Sequence, residues 1–181
     1  MVAGTPRIQT DRLVLRRWDL AGDLDAFAAM SADPEVMKFI GDGSTHDRAQ
    51  SAERIEAFER MWQERGFGLF ALERLDSGEL IGFTGLAIPD FLPEIMPAVE
   101  IGWRLGRAHW GYGFATEAAQ AALTFGFDRV GLDRVVSVHA VGNDASGRVM
   151  QKLGMHLDRE TVHPTHGIAV RVYAIDRTPT G

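Results

Sequence analysis

The chain of 181 residues has no cysteine and only two tyrosines. Without cysteine there is no disulfide framework, no thiolate metal site and no cysteine nucleophile. Long apolar runs are missing too: no stretch approaches the ~20 residues needed to span a bilayer. The start, MVAGTPRIQTDRL, lacks a charged segment followed by an apolar block, so no secretory signal is expected and a cytoplasmic home fits. Positive charge is in short supply, with a formal net charge of −6. That balance argues against a nucleic-acid partner and requires any anionic ligand to be met by local features. No Gly-Lys-Ser/Thr tripeptide occurs, which excludes a nucleotide P-loop. The ordinary apolar and charged fractions that remain are those of one globular domain spanning residues 1–181.

Periodicity then orders the chain. RLVLRRW (12–18) alternates as a strand, and LAGDLDAFAAM follows Asp19 as a capped helix. The segment DPEVMKFIGDGS reads as irregular. DRAQSAERIEAFERMWQERG carries Ile55, Phe58, Met61 and Trp62 on one stripe and stops at Gly66. Two strands joined at Asp76-Ser77-Gly78 form a hairpin, and prolines break the chain before the strand AVEIGWRL, 98–105. A helix from about Ala115 to Arg129, the strand 134–141, a helix from about Asp144 to Leu153 and two closing strands complete the order. This is an α/β chain with a mixed sheet of about seven strands and helices on both faces. The crossovers 106–133 and 142–156 imply some parallel pairing.

HWGYGFATEA, residues 109–118, places two glycines before an alanine-rich helix. A helix leaves its first four N–H groups without internal partners, and its N-terminus carries partial positive charge. No residue from Trp110 to Phe114 has a side chain suited to capping. Exposed amides beside pliant glycines suit a phosphate group. Alternatively, Thr116 is the true cap and the glycines form an ordinary turn. A dinucleotide fingerprint fits poorly, because Thr116 stands where the third glycine belongs and Asp133 precedes its strand.

The strand AVEIGWRL, the turn WGYGFA and the helix TEAAQAALTFGF together resemble the GCN5-related N-acetyltransferases (GNAT), particularly their RimJ/RimL ribosomal-protein branch. TDRLVLRRW and NDASGRVMQKLGM extend the resemblance over most of the chain. The family motif Gln/Arg-x-x-Gly-x-Gly/Ala is met by Gly113 and Ala115, with Trp110 in its first place. The resemblance implies a mostly antiparallel sheet splayed between strands 98–105 and 134–141, opened by a bulge expected at Gly102. It implies acetyl-CoA as cosubstrate, with its pantetheine arm beside the backbones of Ile101, Trp103 and Leu105. The diphosphate then lies on the amides of Gly111, Tyr112, Gly113, Phe114, Ala115 and Thr116. Asn143 is a helix cap that also reaches the arm, and Arg107 and Arg148 are available for the coenzyme's phosphates.

Acetyl transfer needs a neutral amine. Removing the proton of an α-amine, pKa about 7.7–8.0, costs about 1–1.4 kcal/mol at neutrality, against about 4.6 kcal/mol for a lysine. Glu100, opposite Val99 and Ile101 in its strand, is the candidate base, or else half of an ion pair. Glu117 stands in a first helical turn, where an acid serves the dipole. The family's thiolate-protonating tyrosine falls at Met150, and the resemblance passes that role to Ser146, whose alternative is a helix-start hydroxyl. His163 and His166 bracket a turn expected to face solvent, with too few ligands for a metal. His109 and His139 flank the expected cleft without a role. IPDFLPEIMP is a lid over the acceptor, a loop or a subunit contact. The expected protein is an acetyl-CoA-dependent N-acetyltransferase that acts on a primary amine, at a protein N-terminus or on a small molecule. It has no metal, no membrane or nucleic-acid partner, and an open question of homodimerisation. The rival is a non-catalytic acyl-CoA-binding module.

Overall fold

The computed structural model describes residues 6–178. Capping residues set where the helices begin. Asp19 accepts from the Ala21 N–H at 3.2 Å and opens α1 (Leu20–Ser31). Asp47 and Gln50 form a reciprocal capping box at the start of α3 (Arg48–Arg65), which ends on Gly66 at φ 72°. The stretch expected to be irregular holds one helical turn, α2 (Pro34–Met37), capped by Asp33 and too short to show a period. The alanine-rich helix α4 (Phe114–Phe125) begins one residue earlier than its apolar stripe suggests and runs on into a wider π turn over Gly126–Val130. Asn143 caps α5 (Asp144–Lys152).

The strands are β1 (Ile8–Gln9), β2 (Leu13–Arg16), β3 (Leu69–Arg74), β4 (Leu80–Ala87), β5 (Glu100–Leu105), β6 (Arg134–Ala140), β7 (His156–Val162) and β8 (Ala169–Asp176). They form one sheet of eight in the order β1-β2-β3-β4-β5-β6-β8-β7. The strand beyond the expected seven is β1, whose two residues leave no alternation to read. Among the described residues only β5 and β6 pair in parallel; every other neighbour is antiparallel. The crossover 142–156 gives no parallel neighbour, because β8 folds back between β6 and β7.

Two helix layers sandwich the sheet. Leu24, Phe27 and Ile55 of α1 and α3 close on Leu69, Ala71 and Phe83 on one face. Ala118, Ala119, Ala122 and Met150 of α4 and α5 close on Phe70, Leu72, Ile101 and Val135 on the other. The alanines let α4 lie close to the strands, and each large apolar side chain sealed there contributes about 1.5–3 kcal/mol. Arg16 of β2 ties α1 to the sheet through a two-pronged contact with buried Asp23, 2.8 Å on each arm. Leu92, from the proline-rich segment, is buried on Val136, Val170 and Val172, so that segment roofs the β6–β8 half of the sheet. Among the described residues no helix is long and apolar enough to cross a membrane.

β4 and β5 approach very closely. A Cβ on Gly82 would lie 2.1 Å from the Arg104 carbonyl oxygen, and its φ of 152° independently requires glycine. Their register runs unbroken from Ala87–Glu100 to Gly82–Leu105, so the bulge expected at Gly102 is absent. The sheet opens on the other edge of β5. There β5 and β6 bridge only at Glu100–Val136, and the twist of the sheet carries the strands apart beyond that point.

Candidate active site

The helix mouth is built as its glycines suggest. Gly111 and Gly113 both take φ 82°, and no side chain caps α4. The first helical bond is donated by Glu117 to the Gly113 carbonyl. Among the described residues no protein acceptor meets the amides of Gly111, Tyr112, Gly113, Phe114, Ala115 or Thr116. Thr116 is therefore not the cap. Consecutive unpaired N–H groups at a positive helix end are suited to an anion such as a phosphate group.

The turn is clamped from the N-terminal strands. Arg12 donates to the Tyr112 carbonyl at 2.9 Å and to Glu117 at 2.7 Å, and lies over the Phe114 ring. Thr10 donates to the same carboxylate at 2.6 Å. Burial pushes the Glu117 carboxyl up, but the hydrogen bonds from Thr10 and Arg12 outweigh it and hold the group below the usual carboxylate range. Glu117 is thus more than a dipole partner: it anchors the TDRL segment to the turn. Trp110, where the family motif has Gln or Arg, donates its indole N–H to the Leu105 carbonyl at 2.9 Å.

Register determines which backbone groups face the gap. Gly106 donates to Ile81, so in phase Arg104, Gly102 and Glu100 exchange hydrogen bonds with β4. Ile101, Trp103 and Leu105 turn theirs toward β6. The Ile101 carbonyl accepts from the Ser137 hydroxyl at 2.8 Å and the Leu105 carbonyl from Trp110, which leaves Trp103 with both groups toward the opening.

A cavity of about 640 Å³ passes through this opening. Glu100, Gly102, Trp103 and Arg104 line it from β5, and Asn143, Ser146 and Met150 from α5. Glu100 forms no ion pair or hydrogen bond through its side chain among the described residues, so the ion-pair alternative does not hold. Burial raises its pKa from 4.5 to about 7, close to the working value of a base at neutral pH. Asn143 spends its carbonyl oxygen on the Ser146 N–H at 3.3 Å, while the Ser146 hydroxyl makes no hydrogen bond to the described residues. Arg107 pairs with Asp33 at 3.2 Å, away from this cavity's lining.

Ser137 and Arg104 line the cavity without being singled out in the sequence, whereas His139 lines it as its expected place beside the cleft implies. His139 is buried, with Nδ1 2.9 Å from the Ala140 carbonyl and Nε2 without a partner. Burial lowers its pKa, which favours the neutral ring. Ser137 and His139 alternate in β6, and polar residues in phase along an otherwise apolar strand were the available signal. His163, expected to face solvent, is buried instead. Its Nδ1 accepts from the Thr165 N–H and its ring stacks on Phe91 at 5.4 Å, walling the cavity. Phe91 brings IPDFLPEIMP to the cavity's edge, where its ring stacks on His163 of the closing hairpin. Among the described residues no group of three His, Asp or Glu is arranged to hold a metal.

Comparison with known proteins places this geometry. The N-acetyltransferase YoaA of Bacillus subtilis, itself uncharacterized, is 32% identical over 149 residues, 82% of each chain. The crystal structure of an acetyltransferase from Agrobacterium tumefaciens superposes with a TM-score of 0.81 at 27% identity, covering 98% of both chains. RimL, a ribosomal L7/L12 α-N-protein acetyltransferase solved with coenzyme A, shares the fold at TM-score 0.77 and 17% identity, over 94% of this chain and 98% of RimL. The acetyltransferase (GNAT) domain profile matches residues 12–156, from the arginine that clamps the turn to the start of β7, and the chain belongs to the GNAT acetyltransferase family.

Proposed function

We propose that this acetyltransferase draws on cytoplasmic acetyl-CoA and acetylates a primary amine by direct attack, with both substrates bound together. The observation that carries the reading is the row of unpaired amides from Gly111 to Thr116 beside a gap that opens in the sheet at Glu100. Those amides hold the diphosphate, and Trp103, with the free amide of Leu105, pairs with the pantetheine arm as an added strand would. Ile101 stands at the vertex, its carbonyl already taken by Ser137 and its side chain buried in the core, so it ends the gap rather than pairing with the arm.

The thioester then lies near Glu100. Glu100 takes the proton of the incoming ammonium, the nitrogen bonds to the acetyl carbonyl carbon, and the carbon–sulfur bond breaks. The tetrahedral nitrogen gives up its second proton, which reaches the departing thiolate through Ser146 or water; a free thiol has a pKa of about 8.5, so a weak acid suffices. No tyrosine lines the cavity, and Met150 stands at the position where the family resemblance implies one. By resemblance of TDRLVLRRW to the RimJ/RimL branch, protein N-termini are the first acceptors to test, followed by small amines. The test is thiol release from acetyl-CoA over a panel of peptides and small amines. Turnover with one class supports the reading; tight acetyl-CoA binding with no release for any amine overturns it.

A further inference from the structure

On the face of β5 that carries Glu100, the next two side-chain positions are Gly102 and Arg104. A Cβ on Gly102 would meet nothing within 4 Å, so open space separates the two charged residues. Their Cα atoms stand roughly 13 Å apart by strand rise. Both line the same cavity, and Arg54 of α3 and His46 line it alongside Arg104.

Arg104 is short of partners. Its guanidinium lies over the Phe83 ring at 5.1 Å, and its one polar contact is the Met37 sulfur at 3.5 Å. Its Nε is buried with no acceptor, and no carboxylate among the described residues pairs with it or with Arg54. Burial, followed by repulsion from Arg54, pulls its pKa down to about 10. His46 is lowered by burial and by the same two arginines, and its Nδ1 is also buried without a partner. Asp42 lines the cavity, but its carboxylate accepts from the Ser44 N–H at 2.9 Å. A buried cation without a counter-charge is costly to maintain, and a bound anion relieves that cost.

We propose that Arg104, supported by Arg54, binds a carboxylate of the acceptor, so that the amine acetylated at Glu100 belongs to a compound that also carries a carboxylate. The inference rests on the acetyl-transfer reading and names the acceptor class. Gly102 is the floor between the two ends, and chain length between amine and carboxylate becomes a selection rule.

The test is steady-state thiol release with ω-amino acids of increasing chain length, with short peptides bearing an acidic second residue, and with the neutral amide of each. The expected result is a kcat/KM for the best carboxylate on the order of tenfold or more above its amide, expressed in KM. Whether the gain appears in the ω-amino acids or in the peptides identifies the source of the carboxylate. In Arg104→Gln the acid-to-amide ratio falls close to unity while acetyl-CoA affinity, read by calorimetry, holds. Equal rates for acids and amides in the unaltered enzyme overturn the inference and leave acetyl transfer standing. So does an Arg104→Gln enzyme that keeps the ratio but loses acetyl-CoA affinity, since Arg104 then serves the coenzyme. No release from any amine removes both readings at once.

Discussion

At the scale of single residues, the proposed chemistry rests on Glu100. Its carboxyl is raised to about 7 by burial alone, with no cation to hold the charge. Two consequences have opposite signs. Activity requires the carboxylate, so kcat/KM rises with pH through about 7 until the acceptor amine is itself neutral. Stability runs the other way. Below the unfolded-state pKa both states are protonated and nothing is lost; as pH rises through the folded value, the native state must hold a poorly solvated charge. Glu100→Gln removes that charge. It is expected to be more stable than the parent at pH 8, by on the order of 2–3 kcal/mol, and so to melt at a higher temperature there, and to match it near pH 4. The same variant slows turnover and flattens the pH–rate profile while acetyl-CoA binding holds. Thermal melts at the two pH values, beside the kinetics, check both statements; a variant no more stable at pH 8 would deny the buried charge.

At the scale of elements, the mouth of α4 cannot shape itself. Its glycines have positive φ and its amides have no partner, so the turn depends on Arg12 and Thr10 reaching across to Glu117 and the Tyr112 carbonyl. Glu117→Ala frees Arg12 and the strand end that carries it. The expected effect is a loss of acetyl-CoA affinity of about tenfold, or 1.4 kcal/mol, with a small change in melting temperature because the group lies near the surface. Calorimetry decides it: unchanged affinity means the turn keeps its shape without the clamp. Two helix starts were legible, since Asp19 and Asn143 each cap as their residue types suggest. α2 and β1 were not, because four and two residues are too few for a period to emerge.

At the scale of the whole molecule, the proposed function rests on a sheet that fails to close. β5 keeps all its bonds to β4 and meets β6 at one bridge, with the Ser137 hydroxyl taking the Ile101 carbonyl at the vertex. A ligand that fills the gap and the helix mouth joins the two halves of the sheet. Acetyl-CoA at one hundred times its dissociation constant is expected to add about 2.7 kcal/mol, a rise of roughly 5–10 °C in melting temperature for a chain of this size. Hydrogen exchange should slow at residues 111–116 and 103–105; protection elsewhere with none at the turn would place the coenzyme wrongly. The sequence by itself determined the α/β class, the caps at Asp19 and Asn143 and the glycine turn before an alanine-rich helix, and it singled out Glu100 as the candidate base, because each is written in local spacing and residue type. Only the tertiary structure decided that the sheet opens toward β6 without a bulge at Gly102, that Glu117 is a clamp, that His163 turns inward, and that Arg104 is left without a counter-charge. Those are facts about what lies across from a residue, and strand partners, burial and charge pairing join positions far apart in the chain, beyond the reach of any local pattern.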